Sequence, residues 1–257
     1  MNFKTKSILV LATALVGTAA MAQTAAPAAA PEPESTLAFN IGAVSDYRFR
    51  GMSQTSFKPA LQGGVDYAHK SGAYVGAWAS NVSWIKDYIG AKDGTTEVDL
   101  YGGYKGEIAK DLSFDIGVIT YQYPGNTANK VTVDANTTEV YGALTYGIVT
   151  AKYSQSTSNF IANINSQGSR YFELAAAFDL GSGFSFTPHV GRQTIPNQVD
   201  NAGDCTDYSL TLAKDFGNGV SASFAVLGTD AKDSFYKVPG FDNLGKNAMT
   251  VGVKYTF

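Results

Sequence analysis

Cysteine is nearly absent from this chain, which holds only Cys205 among its 257 residues. One cysteine makes no disulfide within the chain, so an oxidising compartment offers this protein no internal covalent crosslink. Basic residues are also outnumbered, with 19 Lys and Arg against 22 Asp and Glu, for a net charge of −3. Nucleic-acid-binding proteins need a basic surface, so this composition argues against a nucleic-acid partner.

Long apolar runs are missing too, because no segment reaches the ~20 residues that a membrane-spanning helix needs. The longest run, at 8–16, follows two lysines and precedes an Ala-Met-Ala motif at 20–22. This order is typical of a secretory signal peptide cleaved after residue 22. Residues 23–36 are rich in Ala, Pro and Glu and predict an extended periplasmic linker.

Histidine is represented only by His69 and His189. A metal site needs several ligands that converge. Neither histidine has Cys, His or acidic residues at ligand spacing along the chain, so the sequence predicts no metal site and no cofactor.

From residue 37 onward the chain alternates apolar and polar residues with a period of two, which is the pattern of β-strands with one oily face. In the first strand Leu37, Phe39 and Ile41 alternate with Asn40 and other small or polar residues. Both faces of the segment 73–84 are largely apolar, so its orientation stays open. The pattern predicts twelve strands, at 37–49, 59–68, 73–84, 97–105, 112–122, 138–147, 149–158, 169–180, 184–193, 206–216, 219–229 and 247–257.

The connections between these strands alternate between short and long. Short turns and long loops on opposite rims are typical of outer-membrane barrels, whose turns are periplasmic and whose loops are extracellular. Strands of about ten residues are long enough to cross a bilayer at a tilt, and a sheet in lipid must close to leave no edge. The sequence therefore predicts an all-β fold, a transmembrane up-and-down antiparallel barrel of about 12 strands at 37–257.

Aromatic residues gather near both ends of the predicted strands, as in the interfacial girdles of membrane barrels. The final strand ends with Tyr255 and the terminal Phe257, a pattern that resembles the assembly signal of Gram-negative barrels. The predicted long-loop girdle consists of Tyr47, Phe49, Trp84, Tyr121 and Tyr123, and the predicted short-turn girdle consists of Tyr67, Tyr104, Phe178, Phe184 and Phe216.

Several stretches resemble the TorF family, a bacterial group of predicted outer-membrane porins. The resemblance begins with "SDYRFRGMSQT" and "KPALQGGVDYAHKSGAYVGAWASNVSW" and continues through "YFELAAAFDLGSGFSFTPHVGRQ" to cover essentially all of 37–257. It implies an outer-membrane barrel and passive transport. It transfers no catalytic residue and no particular solute.

Charged residues on the polar faces are expected to point inward, since a basic side chain facing lipid at mid-depth costs ~2 to 4 kcal/mol. Eight of them are acidic and five basic. Two interpretations are open: a water-filled lumen that concentrates cations, or an interior closed by salt bridges. The predicted lining residues are Asp46, Arg48, Arg50, Asp66, Glu97, Asp99, Lys105, Asp115, Glu139, Lys152, Glu173, His189, Asp207 and Lys254.

These expectations define a porin of the bacterial outer membrane, a weakly cation-selective channel for small hydrophilic solutes that is monomeric or trimeric. Its partners would be outer-membrane lipid, the barrel assembly machinery and the solutes. One alternative is a closed structural or surface-interaction barrel. The other is a lipid-active enzyme, for which His189 has Thr194 rather than a serine downstream; the prediction is that the protein is not an enzyme.

Overall fold

The computed structural model describes residues 33–257. The predicted signal peptide, 1–22, and most of the predicted linker lie outside this range. The first strand begins at Ser35, within the segment predicted as linker. None of the helices in the described range is long and apolar enough to cross a bilayer.

Twelve antiparallel strands form the wall of a closed barrel, which confirms the predicted fold class and strand number. The eighth strand is interrupted at Ala177, and both of its parts pair with the ninth. The wall strands are β1 (Ser35–Val44), β2 (Ala60–His69), β3 (Ala73–Asn81), β4 (Thr96–Ala109), β5 (Leu112–Gln122), β6 (Thr137–Tyr146), β7 (Val149–Ser156), β8 (Arg170–Ala176 and Phe178–Gly181), β9 (Phe184–Thr194), β10 (Cys205–Gly217), β11 (Val220–Thr229) and β12 (Ala248–Thr256).

The barrel closes where β1 pairs with β12, in a register that places Asn40 opposite Thr256. The terminal residue extends this seam, because the backbone N–H of Phe257 donates to the Phe39 carbonyl at 2.9 Å. The Phe39 and Phe257 rings stack with their centres 5.8 Å apart. Every wall strand thus has a neighbour on both sides, and the sheet has no open edge.

The period of two places the apolar residues on the outside of the wall. Leu61, Val75 and Leu210 are each more than half exposed on this surface. The strand that could not be oriented from the sequence, β3, points Val75 outward and Tyr74 and Trp78 inward. Its orientation was ambiguous because two of its inner residues, Tyr74 and Trp78, are aromatic and not charged.

The connections differ at the two ends of the barrel, as expected from the sequence. Short turns join the strands at one end, and the longer loops, with their short helices Trp84–Asp87 and Asp233–Tyr236, lie at the other. The short-turn aromatics are all at least two-fifths exposed, which places them on the outer surface as predicted: Tyr67, Tyr104, Phe178, Phe184 and Phe216.

The first strand ends at Val44, so the prediction that it continues to residue 49 was wrong. Residues 45–59, which we call the mouth hairpin, form a small two-stranded ribbon in which Arg48–Phe49 pairs with Met52–Ser53. Its tip has backbone φ angles of 47° at Arg50 and 77° at Gly51. A Cβ atom on Gly51 would lie 2.4 Å from the Thr229 side chain, so this turn requires glycine.

The predicted aromatic girdle at the long-loop end was also wrong. Its members are buried, at no more than 8% exposure, and they form one hydrophobic cluster inside the long-loop end. The physical reason is that the mouth hairpin and the loops bring their own apolar surface into the barrel and need a core there. The residues concerned are Tyr47, Phe49, Trp84, Tyr121 and Tyr123.

Candidate functional site: the barrel interior

The mouth hairpin crosses the interior at the long-loop end. At one side, the Tyr47 hydroxyl donates to Glu97 on β4 at 2.7 Å, and the Tyr47 ring packs edge-on against Trp78 on β3. At the other side, Arg50 contacts β6 and β9. The hairpin therefore spans the lumen from one wall to the opposite one.

Arg50 is the centre of the contacts on that opposite side. Its guanidinium makes two parallel hydrogen bonds to the Glu139 carboxylate, at 3.0 and 2.7 Å. A third bond, at 2.7 Å, goes to the Gln193 side-chain oxygen. The planar group also lies over the rings of Phe49 and Tyr171, at 4.7 and 4.3 Å from their centres. Such bidentate, stacked geometry suits arginine and not lysine.

Arg48 holds the base of the hairpin. It pairs with Asp46 at 2.6 Å, and its Nη1 donates to the carbonyls of Gly51, Leu244 and Lys246. Two of these carbonyls belong to the loop before β12, so the hairpin and that loop are bound together.

Glu97 and Asp99 form a different kind of site in the same region. They face the interior two residues apart on β4, and they are only 2% and 1% exposed. In residues 33–257 neither makes a salt bridge, although Asp46 and Glu139 each have an arginine. Asp99 Oδ1 is buried with no hydrogen-bond partner in the described structure.

Below the mouth, tyrosine hydroxyls bind carboxylates from other strands. Tyr74 bonds Asp115 at 2.6 Å, and Tyr101 on β4 bonds Asp66 on β2 at 2.5 Å. These carboxylates are half-buried, unlike those of the mouth. The interior is therefore more open in this half of the barrel.

His189 lies between two carboxylates and a hydroxyl. Its Nε2 is 3.2 Å from Glu173 on β8, its Nδ1 is 3.6 Å from Asp207 on β10, and the Tyr171 hydroxyl is 3.3 Å away. Lys152 on β7 lies 3.9 Å from the same Glu173. The sequence did not show this cluster, because its members are brought together by the register of four strands.

The remaining lysines of the predicted lining differ in their surroundings. The Lys105 ammonium lies 5.5 Å from the centre of the Tyr74 ring, and that of Lys152 lies 4.5 Å from the Tyr141 ring. Lys254 is exposed near the end of β12 and makes no ion pair in the described residues. It lies apart from the other predicted lining residues.

The long loops are bound to one another around the mouth. Tyr88 donates a hydrogen bond to the Asp242 carbonyl across two loops. Burial raises the pKa of the Tyr88 phenol to about 12, with Asp242 and Asp87 adding to the shift, so this donor stays protonated at neutral pH. The Asn197 side chain donates to the Asn165 carbonyl at 2.9 Å, which joins two further loops.

The structure thus assembles most of the predicted charged residues inside the barrel, in two groups. A buried group at the long-loop end comprises Asp46, Arg48, Arg50, Glu97, Asp99, Glu139 and Asp207, and a more open group comprises Asp66, Lys105, Asp115, Lys152, Glu173 and His189. The structure also adds aromatic partners that the charge pattern did not indicate. In residues 33–257, no group of three or more His, Cys, Asp and Glu side chains could hold a metal ion.

A closed barrel with an apolar outside and charged inside is the architecture of outer-membrane β-barrel proteins. This chain belongs to a family described as "Bacterial protein of unknown function (Gcw_chp)", whose model matches residues 28–257. That description names no function, and the TorF label stays a prediction. The search of curated proteins found no match.

Solved porin structures share the fold. The KdgM porin is 6% identical, with a TM-score of 0.53, and the match covers 87% of this chain and 99% of that one. A NanC porin structure is 11% identical, with a TM-score of 0.54 and coverage of 86% and 99%. KdgM has also been solved in a complex with disordered oligogalacturonate, at 7% identity, a TM-score of 0.53 and coverage of 87% and 99%. At these identities the likeness shows the fold alone.

Proposed function

We propose that this protein is a porin of the bacterial outer membrane, through which small hydrophilic solutes diffuse passively. The observation that carries the proposal is the division of the wall into an apolar outer face and an inner face with charged, half-exposed side chains. Such a wall suits lipid outside and water inside. In this membrane, its partners would be lipid and the barrel assembly machinery. The resemblance to the TorF family agrees with a porin function.

We infer a weak preference for cations from the interior charges. Asp46 and Glu139 are neutralised by bonded arginines, and Glu173 shares its charge with Lys152 and His189. Asp66 and Asp115 lie on the half-open part of the wall and bond tyrosine hydroxyls. Lys105 is opposite Asp115 in the strand register, so this part of the wall carries two carboxylates and one ammonium. Fixed carboxylates of this kind raise the local concentration of cations.

A closed structural barrel is the second candidate, and the mouth hairpin favours it. The hairpin spans the lumen, and its Tyr47 and Phe49 pack in a buried cluster with wall and loop residues. A permeating solute would have to pass beside this hairpin or displace it. If the barrel conducts, the mouth hairpin makes its channel narrow.

Single-channel recording on refolded protein in planar bilayers distinguishes the two candidates. A channel gives discrete conductance steps that scale with salt concentration, and a closed barrel gives none. Replacing residues 47–56 by a Gly-Ser-Gly-Ser linker removes the part of the hairpin that crosses the lumen. Larger steps in this variant than in the native protein would place the constriction at the hairpin.

Lipid hydrolysis is poorly supported by the surroundings of His189. Its hydrogen-bond and ion-pair partners in the described structure are Tyr171, Glu173 and Asp207, and all face the interior rather than lipid. A serine nucleophile would need to be within hydrogen-bond reach of this base. Phospholipase activity that is present in the native protein and lost in His189→Gln would support the enzyme instead.

A further inference from the structure

We propose that Glu97 and Asp99 bind a small, hard metal cation at the long-loop end of the barrel. The two side chains leave the inner face of β4 at alternate positions, so their Cα atoms are ~6.6 Å apart. A single ion between the carboxylates could contact an oxygen of each, since hard cations take oxygen ligands at ~2.3 to 2.6 Å. The site is independent of whether the barrel conducts.

The first argument is electrostatic. Burying a carboxylate costs several kcal/mol unless an opposite charge and hydrogen bonds compensate for it. The protein supplies an arginine for each of the buried carboxylates Asp46 and Glu139, and it supplies His189 and the Tyr171 hydroxyl for the buried Asp207. Among the described residues it supplies no Lys, Arg or His within salt-bridge distance of Glu97 or Asp99. The compensation is therefore either a proton held by the carboxylate pair or a cation taken up from solution, and we assign it to the cation.

The second argument is the unused oxygen. Asp99 Oδ1 is buried and has no hydrogen-bond partner within the described chain, and native proteins leave few such atoms unpaired. Glu97, by contrast, accepts the Tyr47 hydroxyl at Oε1. That bond orients the Glu97 carboxylate. The same ion could then contact the oriented Glu97 carboxylate and the unpaired Asp99 Oδ1.

The two carboxylate ligands limit how tightly an ion binds, and their oxygen atoms determine which ions bind. Two carboxylates are fewer than a dedicated calcium site uses, and oxygen ligands select against soft metals. We therefore expect weak binding of ions such as Ca²⁺. The bound ion would stabilise the mouth hairpin, because Tyr47 joins the hairpin to one of its ligands.

Terbium luminescence tests the site directly, because Tb³⁺ binds oxygen ligands and is excited by nearby aromatic rings. Trp78 lies opposite Asp99 in the strand register, and its ring is 5.4 Å from that of Tyr47. Refolded native protein should give Tb³⁺ emission on excitation of the aromatic residues. Added Ca²⁺ should displace the bound Tb³⁺ and reduce this emission. The double variant Glu97→Gln/Asp99→Asn should lose at least nine-tenths of this emission.

A matched control removes the same charge elsewhere. Glu107→Gln/Asp111→Asn changes two exposed acidic residues at the short-turn end, and it should keep the native emission. Thermal unfolding gives a second measurement, in which Ca²⁺ should raise the midpoint of the native protein and of the control but not of the Glu97/Asp99 variant. In the absence of added cation, that variant should be more stable than the native protein.

Three results would overturn the proposal. They are no Tb³⁺ emission from the native protein, equal emission from the native protein and the Glu97/Asp99 variant, and a Ca²⁺ shift of the unfolding midpoint that persists in that variant. If the double variant does not fold, the single variant Asp99→Asn, which keeps the Tyr47 bond to Glu97, is measured instead. Native emission in that folded variant contradicts the site, and a loss of emission supports it.

Discussion

At the scale of single residues, the interior depends on which charges have partners inside the protein. Arg50 has a bidentate carboxylate, an amide oxygen and aromatic rings around it. Asp99 has no such partner in the described structure. The sequence predicted that both residues face inward, because inward is the favourable direction for a charge in a membrane wall. It did not predict the pairing, which depends on the path of the mouth hairpin.

Removal of the Glu139 carboxylate, which pairs with Arg50, should destabilise the barrel strongly. Glu139→Gln keeps the shape of the side chain and leaves Arg50 buried without its counter-charge, which typically costs about 3 to 5 kcal/mol. Urea unfolding of refolded protein, followed by the heat-modifiable gel band, measures this loss. Glu34→Gln, which removes an exposed pair with Lys70, is the control and should cost less than about 1 kcal/mol. Equal losses in the two variants would contradict the role of Arg50.

At the scale of the strand, alternation of apolar and polar residues was enough to predict most of the wall. Predicted and observed strand ends agree to within about four residues from β2 to β12, because one face of each strand meets lipid and its residues must be apolar. The largest differences are at β3, which ends at Asn81 and not at 84, and at β4, which ends at Ala109 and not at 105. The first strand was predicted too long. Residues 45–49 continue the alternation, but their charged and aromatic side chains are used in contacts across the lumen, which a local pattern does not contain.

The two faces of one strand should respond differently to the same substitution. Leu210 faces outward near the middle of β10, and its neighbour Ser209 faces inward. Leu210→Arg should cost about 2 to 4 kcal/mol if it lies at mid-depth in the bilayer. Ser209→Arg should cost much less, since its guanidinium reaches the interior. Folding titrations in lipid vesicles measure both values, and a larger loss for Ser209→Arg would mean that the assigned faces are reversed.

The closing strand should be sensitive at its last residue. Phe257 stacks on Phe39 across the seam and on Tyr255 along β12. Deleting Phe257 should reduce the amount of folded barrel in the outer membrane, because it removes these contacts and the predicted assembly signal. Quantifying the heat-modifiable band in membrane fractions tests this, with Met249→Ala, an exposed change on the same face of β12, as the control. Equal amounts of folded protein in the deletion and the control would refute the prediction.

At the scale of the whole molecule, the fold and the inward charges could be predicted, and the state of the lumen could not. The cluster of His189, Glu173 and Asp207 depends on the register between β8, β9 and β10. The filled mouth depends on a hairpin that contacts residues about 90 to 200 positions away in the chain. Contacts of such separation leave no periodic signal in the sequence.

The charge distribution of the molecule predicts its ion selectivity. Asp66 and Asp115 should favour cations at low salt, and the double variant Asp66→Asn/Asp115→Asn should reduce this preference. The difference in cation preference between the native protein and the variant should nearly vanish at 1 M salt, where the screening length falls to ~3 Å from ~10 Å at 0.1 M. Reversal potentials in a salt gradient measure the preference. Anion selectivity of the native protein would contradict the assignment of charges.

Single-channel conductance decides between the proposed channel, narrowed by the mouth hairpin, and a closed barrel. Native protein and the variant with residues 47–56 replaced by Gly-Ser-Gly-Ser are recorded in the same planar bilayers, together with Arg50→Gln/Glu139→Gln, which retains the hairpin but removes its buried ion pair. We predict small steps for the native protein and larger steps when the hairpin is shortened, with intermediate or fluctuating steps for the double variant. No conductance from the native protein, with both variants folded and equally silent, would contradict the account and favour the closed barrel.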